Sequence, residues 1–401
     1  MLKTVISTVI GTTLVTLGCG NIAQAASFTT VATGLNNPRG ITFSPDGSLY
    51  VTEAGVGGSG PCIPGARNPI CYGETGTLSV LGNDGNLDPV LTNLPSLAPE
   101  MRGTIKGNEA TGLHDIGFDE NGQLYVLFGL ASNPQNRSNL PSSVLGQFLQ
   151  VGSDLTLNPI ADLANFELQN NPDRANPTGG GIESNPYAFS LNNNQAYIAD
   201  AAGNDLLNVN LDNGNIDVTT VFRDRPVPNP LPEGPSNIPM ESVPTAVTQT
   251  DGGSLLVGEL TGFPFPPKQA NVYQIGSNGQ PSIYAQGFTN IIDLGVDAQD
   301  NLYVLEYASN FLKQDFSGAL VRVSPDGEKT RFLEDKLVRP TAFDIAENGD
   351  IYIANEGLVA GEGELVKFNP EDIPEPSLIL GLAAIAFGGT ASSFLKSQKD
   401  S

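Results

Sequence analysis

Six stretches of the chain repeat one phrase: a short apolar strand, a tight turn, a second strand with a Leu or aromatic anchor, and usually a polar residue at its exit. They read NPRGITFSPDGSLYVTEAG from Asn37, LHDIGFDENGQLYVLFG from Leu113 and NPYAFSLNNNQAYIADAAG from Asn185. The other three are VPTAVTQTDGGSLLVGELTG from Val243, IIDLGVDAQDNLYVLEYA from Ile291 and RPTAFDIAENGDIYIANEG from Arg339. A strand pair of this size cannot bury its apolar face alone, so the repetition forces neighbouring units to stack on one another. That constraint overrides the two domains that 401 residues would otherwise suggest.

Each copy continues with further strand-like runs. The third strands read GTLSVLG from Gly76, GQFLQVG from Gly146, LLNVNL from Leu206, NVYQIG from Asn271, GALVRVS from Gly318 and ELVKFN from Glu364. The fourth read DPVLTNL from Asp88, NPIADLANF from Asn158, IDVTTVF from Ile216, PSIYAQGF from Pro281 and KTRFLEDKL from Lys329. The sixth copy lacks a fourth strand, and Phe28-Thr29-Thr30-Val31-Ala32, ahead of the first copy, has the missing shape. The expected fold is all-β: a six-bladed β-propeller of the NHL/TolB-like kind, with four-stranded blades and an N-terminal strand closing the last one. Radial repetition leaves only short, protected sheet edges. A sandwich or an open array gives no use to the donated strand.

Propeller geometry sorts the connections onto two faces. On one lie short turns such as Pro45-Asp46-Gly47 and Glu347-Asn348-Gly349, whose Gly and Asn supply the left-handed positions such turns need. The opposite face receives nearly all the extra length: Gly55 to Thr75, Leu130 to Leu145, Gln169 to Glu183, Arg223 to Glu241 and Thr261 to Gln269. Long loops on a rigid scaffold are where function usually sits.

At the exits of the second strands stand Glu53, Phe128, Asp200, Glu259, Glu306 and Asn355, with Glu356 next to the last. Six-fold geometry is expected to aim these residues at the mouth of the central channel. Carboxylates around one opening repel each other unless a cation, an Arg or raised pKa values relieve them. Arg39 and Arg339 open the first and sixth copies on the same face. Ca²⁺ is the candidate cofactor, with Glu53, Asp200, Glu259 and Glu306 as candidate ligands, because it accepts six to eight oxygens in irregular geometry. The alternative is that each acid hydrogen-bonds a neighbouring backbone. His114, the only histidine, is either a general base or a satisfied structural residue. No GxSxG, HExxH or phosphate-binding loop accompanies it.

A net charge of −24 argues against nucleic acid as a partner. Lys3, the apolar run Thr4 to Leu17 and the small-residue site Ala23-Gln24-Ala25 read as a signal peptide over residues 1–25, leaving the propeller at 26–370. A lipoprotein box ending at Cys19 is the competing reading. Loss of Cys19 leaves Cys62 and Cys71, an even pair suited to a disulfide in an oxidising compartment. At the other end, 371–401, Pro374-Glu375-Pro376 precedes an apolar run over 378–395 and a Lys-containing tip. About 18 residues at roughly 1.5 Å each just span a bilayer. This tail resembles a PEP-CTERM sorting signal, which implies an exosortase as processing partner. A plain membrane anchor is the alternative, and on either reading the membrane is met only through this segment.

The stretches Gly60-Pro61-Cys62-Ile63-Pro64-Gly65 to Cys71-Tyr72-Gly73, Gly112-Leu113-His114-Asp115-Ile116, Ser242-Val243-Pro244-Thr245 and Val257-Gly258-Glu259-Leu260-Thr261-Gly262-Phe263-Pro264-Phe265-Pro266 resemble the ScyD/ScyE family. That resemblance implies an exported cyanobacterial propeller, periplasmic or at the cell surface, accessory to late steps or export of scytonemin, an extracellular indole-phenol pigment. It carries over no catalytic residues. A looser similarity runs to Ca²⁺-dependent lactonases and arylesterases.

The leading functional expectation is therefore an exported propeller that binds a small ligand, or a surface protein or polysaccharide, on its long-loop face without turnover. Phe263 and Phe265 would form an apolar rim and the acids a polar floor. The alternatives are a metal-dependent lactone or ester hydrolase using His114, and a structural protein of the cell surface or matrix.

Overall fold

Turn chemistry closes each repeat into an antiparallel hairpin. In the first copy Gly47 sits at φ 83° and donates its N–H to the Ser44 carbonyl at 2.9 Å, a left-handed position that is nearly free of strain only for Gly. Strand alternation then puts Leu49 and Val51 inside. The computed structural model describes residues 28–101, 103–178 and 181–372. Within Phe28–Pro370 the strands form six antiparallel sheets of four blade strands each, a six-bladed β-propeller.

The innermost strands are Pro38–Phe43, Leu113–Phe118, Pro186–Asn192, Pro244–Gln249, Ile291–Val296 and Ala342–Ile345. The ring closes as the donated strand required: Phe28–Asn36 pairs antiparallel with Ala360–Phe368, Phe28 opposite Phe368. Apolar faces of adjacent blades meet in separate cores. Leu35, Ile41, Leu49 and Val51 pack with Ala342, Ala354 and Leu365 across the closing seam, each large side chain contributing about 1.5–3 kcal/mol by leaving water.

Four details depart from the expected strands, all on the long-loop side. The outer strands of the first blade run on as Pro69–Leu81 and Leu87–Met101, so much of the first insertion is itself strand. Cys62–Pro64 pairs with the start of Pro69–Leu81, Cys62 lies opposite Cys71, and the two form a disulfide. The fourth strand of the second blade stops at Asp162, whose side chain caps the helix Leu163–Asn170 by accepting the Asn165 N–H at 2.9 Å. The Pro-rich insertion contains a hairpin, Arg225–Pro228 against Asn237–Met240.

The signal segment 1–25 with Cys19, and the tail with Pro374, Glu375, Pro376 and the apolar run 378–395, lie outside the described residues. Among the described residues no helix is long and apolar enough to cross a membrane.

Candidate functional site

Of the two readings of the second-strand exits, metal binding and hydrogen bonding to backbone, these residues follow mainly the second. Glu53 accepts the N–H of Asn36 at 2.6 Å, and Asp200 accepts the N–H of Asn185 at 2.7 Å. Glu306 accepts from Thr289 N–H at 2.8 Å, and Asn355 Oδ1 from Val338 N–H at 2.7 Å. Each of these donors lies just ahead of the first strand of its own blade, where the chain turns inward and its N–H would otherwise be buried without a partner. Glu259, fully buried, instead accepts from Ser242 Oγ, from the backbone and side chain of Asn271, and from Arg225 at 2.6 Å. Glu306 is also paired with Arg331 at 2.8 Å.

None of these residues lines the central cavity. The oxygens of Glu53, Asp200, Glu259 and Glu306 do not gather within 4.8 Å of one another as a metal cluster, so the four do not form one Ca²⁺ site. The expectation of an acidic ring at the channel mouth is corrected on this point. Backbone N–H groups at the loop-to-strand junction claimed Glu53, Asp200 and Glu306, while Glu259 is taken up by Ser242, Asn271 and Arg225.

The cavity enclosed by the inner strands measures about 140 Å³ and is lined by Arg39, His114, Tyr187, Asp115, Asp293 and Asp344 among others. His114 is buried and held at both nitrogens. Nδ1 carries the proton, since it faces the Pro186 carbonyl at 2.9 Å, and Nε2 accepts from the Thr111 hydroxyl at 2.8 Å. Burial, helped by the nearby Arg39 charge, pushes its pKa down to about 3. A ring with both nitrogens engaged is badly placed to take a substrate proton.

The three aspartates were not singled out from sequence. Asp115 accepts the N–H of Ile116 with one oxygen and of Phe189, in the next blade, with the other, both at 2.8 Å. Asp293 does the same with Leu294 and Phe343, and Asp344 with Ile345 and Phe43. They staple the second blade to the third, the fifth to the sixth and the sixth to the first. Burial raises Asp115 to about 7 and Asp344 to about 6, and raises Asp293 well above the ordinary value. A readable signal existed: Gly follows two residues after Asp115 and Asp293, and a Cβ at Gly117 or Gly295 would stand 2.9 Å from the ring of Phe189 or Phe343.

The long-loop face carries an aromatic cluster. Phe263 and Phe265 come together there, centroids 6.4 Å apart, and Phe265 meets Phe311 at 4.4 Å. Phe311 packs edge-on against Phe316 at 5.6 Å, and the buried Tyr307 lies behind both. Phe263 is 43% exposed and Leu312 49% exposed, so the cluster opens to solvent. Arg339 stacks over Phe316 at 4.6 Å while pairing with Glu356 at 2.9 Å. Arg67, from the loop closed by the disulfide, reaches Phe311 at 5.9 Å. The same loop is held from the second blade, where Ser132 Oγ donates to the Pro64 carbonyl at 2.6 Å. The disulfide hairpin thus touches the second and fifth blades, which face each other across the ring. Arg39 stands at the cavity, donating to the Ala110 carbonyl, with its Nε buried and unpartnered.

So Phe263, Phe265, Arg339 and Glu356 share one surface, Arg39 and His114 line the cavity, Asp200, Glu259, Glu306 and Asn355 are buried between strands, and Glu53 is half-buried. Sequence reading missed Phe311, Phe316, Tyr307 and Arg67. Phe311, Leu312 and Phe316 in the otherwise polar connection Ser309 to Ser317 were the available sign.

By sequence, no family model and no curated protein matches the chain. By structure, a gluconolactonase from Xanthomonas campestris aligns over 86% of this chain and 90% of that one, with TM-score 0.51 and 8% identity. A protein of unknown function from Bacteroides thetaiotaomicron aligns over 86% and 76%, with TM-score 0.52 and 9% identity. A virginiamycin B lyase from Staphylococcus aureus aligns over 83% and 82%, with TM-score 0.44 and 14% identity. At such identities the likeness is one of fold.

Proposed function

We propose that the long-loop face binds a planar aromatic small molecule carrying a negative or phenolic group, and that it does so as a binding protein without turnover. The observation that carries this reading is the half-exposed cluster of Phe263, Phe265, Phe311 and Phe316 flanked by Arg339 and Arg67. Aromatic edges and faces attract a flat π-system, and guanidinium groups add charge attraction and stacking. The motifs that resemble the ScyD/ScyE family imply the same chemistry, an indole-phenol pigment or its precursor handled outside the inner membrane. A disulfide suits that oxidising setting. On this reading an exosortase processes the C-terminal tail, and the tail is where the chain meets the membrane.

The hydrolase alternative draws on His114 as base and on four acids as Ca²⁺ ligands. Those groups are engaged with the fold itself, so the binding reading is preferred. A role as a structural cell-surface protein predicts no small-molecule affinity and is distinguished by the same experiment.

The chain has no Trp and ten Tyr, so an indole-containing phenol excited at wavelengths longer than Tyr absorbs can be followed by its own fluorescence anisotropy. Saturable binding at micromolar concentration, weakened about tenfold by Phe311→Ala as a lost aromatic contact of ~1.4 kcal/mol requires, supports the proposal. Absence of saturation, or equal binding by the variant, contradicts it.

A further inference from the structure

One position near the start of each innermost strand forms a tier around the central cavity: Arg39, His114, Tyr187, Thr245, Ile292 and Thr341. The innermost strands start from the long-loop face, so this tier is the cavity's end on that side. In alternate blades the residue clasps the next blade. His114 Nδ1 donates to the Pro186 carbonyl at 2.9 Å, and Thr245 Oγ to the Ile291 carbonyl at 2.7 Å. Thr341 Oγ donates to the Pro38 carbonyl at 2.7 Å. The first and third blades place Arg39 and Tyr187 there instead, and the fifth the apolar Ile292.

Arg39 is half-buried. It donates to the Ala110 carbonyl, which engages one of its five N–H groups, and its Nε is buried without a partner. Thr111, the next residue, holds His114 Nε2 at 2.8 Å, and the His114 ring lies 5.1 Å from that of Tyr187. Arg39 and Tyr187 thus stand together at one side of the entrance, and the guanidinium acts on the Tyr187 hydroxyl through charge and a hydrogen bond. The chain has 43 Asp and Glu against 19 Lys and Arg, yet among the described residues none of those acids forms an ion pair with Arg39. Asp115, Asp293 and Asp344, which share the cavity, are each spent on two backbone N–H groups. A half-buried guanidinium without a counter-charge is costly to hold, and an anion from outside relieves it.

Tyr307 joins this entrance to the aromatic rim. It lies 6.2 Å from Phe311 and 6.0 Å from Phe316, and the charges of Arg339, Glu109 and Arg39 all reach its hydroxyl. Arg339 is already paired with Glu356 at 2.9 Å, which leaves Arg39 as the uncompensated cation at the cavity.

We propose that Arg39, with the Tyr187 hydroxyl beside it, seats a carboxylate at the entrance of the central cavity, so that the ligand of the long-loop face is an aromatic monocarboxylic acid; the inference rests on the aromatic rim being the binding surface. The planar guanidinium fork matches two carboxylate oxygens, and the hydroxyl adds a further donor. A monoanion suits the site better than a dianion, because three aspartates stand further along the same cavity. The cavity, about 140 Å³, admits a small head group while the ring stays on the rim.

The probes are indole-3-acetate and indole-3-acetamide, one ring with and without the charge, titrated calorimetrically into the purified protein. The native protein should bind the acetate about tenfold tighter, the gain expected of hydrogen bonds to a charged group. Arg39→Gln should remove that gain and leave the amide's affinity unchanged, which also shows that the variant is folded. Arg39→Lys, with the charge but not the fork, should keep part of the gain. Equal affinity for both probes in the native protein overturns the carboxylate seat and leaves the aromatic rim standing. No binding of either probe overturns both. A preference for the acetate that survives Arg39→Gln assigns the charge to Arg339 or Arg67 and overturns the seat. An equal loss for both probes in Arg39→Gln marks Arg39 as a support of the fold and overturns it too.

Discussion

The ring of Phe265, in the fourth blade's long loop, lies 4.4 Å from that of Phe311 in the fifth, tilted by 37°. The contact joins two loops and leaves their neighbour Phe263 exposed. The surface is therefore built by two blades together. Replacing Phe265 with Ala should lower stability by about 1–2 kcal/mol, because the ring is only partly buried, and should weaken aromatic-ligand binding more than it weakens the fold. Denaturant unfolding and a binding titration on the same preparation separate the two effects.

Glu259 gives a test of the reassigned acids. Its carboxylate is buried with Arg225 at 2.6 Å and Asn271 at 2.8 Å. Glu259→Gln leaves the guanidinium without its counter-charge, and a loss of about 3 kcal/mol or more is expected from breaking such a pair. Ligand affinity of the folded fraction should not change. Unaltered stability with lost binding would return Glu259 to the ligand site.

The channel aspartates set a pH dependence of definite sign. Asp115, at about 7, and Asp344, at about 6, hold protons more tightly in the folded chain than unfolded carboxyls, which titrate near 3.8. Their contribution to stability is fully present below about pH 4 and is lost as the pH rises through 6 to 7. Melting temperature should therefore fall between pH 5 and pH 8, and Asp115→Asn should flatten that fall. Calorimetry across this range checks it, and a flat native profile would count against the buried, protonated state.

At Gly117 and Gly295 an added Cβ meets the ring of the next blade at 2.9 Å. Gly117→Ala and Gly295→Ala should each cost about 1–3 kcal/mol through overpacking. Equal stability of the variants in chemical denaturation would show that the blades separate without cost.

Cys62 and Cys71 lie nine positions apart in sequence and close a short loop. Replacing both with Ser should lower stability by about 2–3 kcal/mol in the chain-entropy model. It should also loosen Arg67 from Phe311, and proteolysis at that loop reads this directly.

The blade count, the donated strand and the faces of the loops were legible because each is written several times, in turns and alternating apolar residues. The disulfide was legible from the pair left after Cys19. The direction of Glu53, Asp200, Glu259 and Glu306 was not, since it depends on backbone N–H groups contributed by distant segments such as Asn36, Asn185 and Thr289. Phe311 and Phe316 stand in one loop only, so no repeat draws attention to them. Asp115 and Asp293 were hidden for the opposite reason: they lie inside the repeated strands and look like ordinary variation until the next blade is in place.

The central claim is most directly tested by calorimetric titration of the purified protein with a planar indole-phenol and with its ring-saturated analogue. The account predicts binding of the planar compound at least tenfold tighter than the saturated one, with the difference removed by Phe311→Ala. Equal affinities, or no heat from either compound, would contradict it.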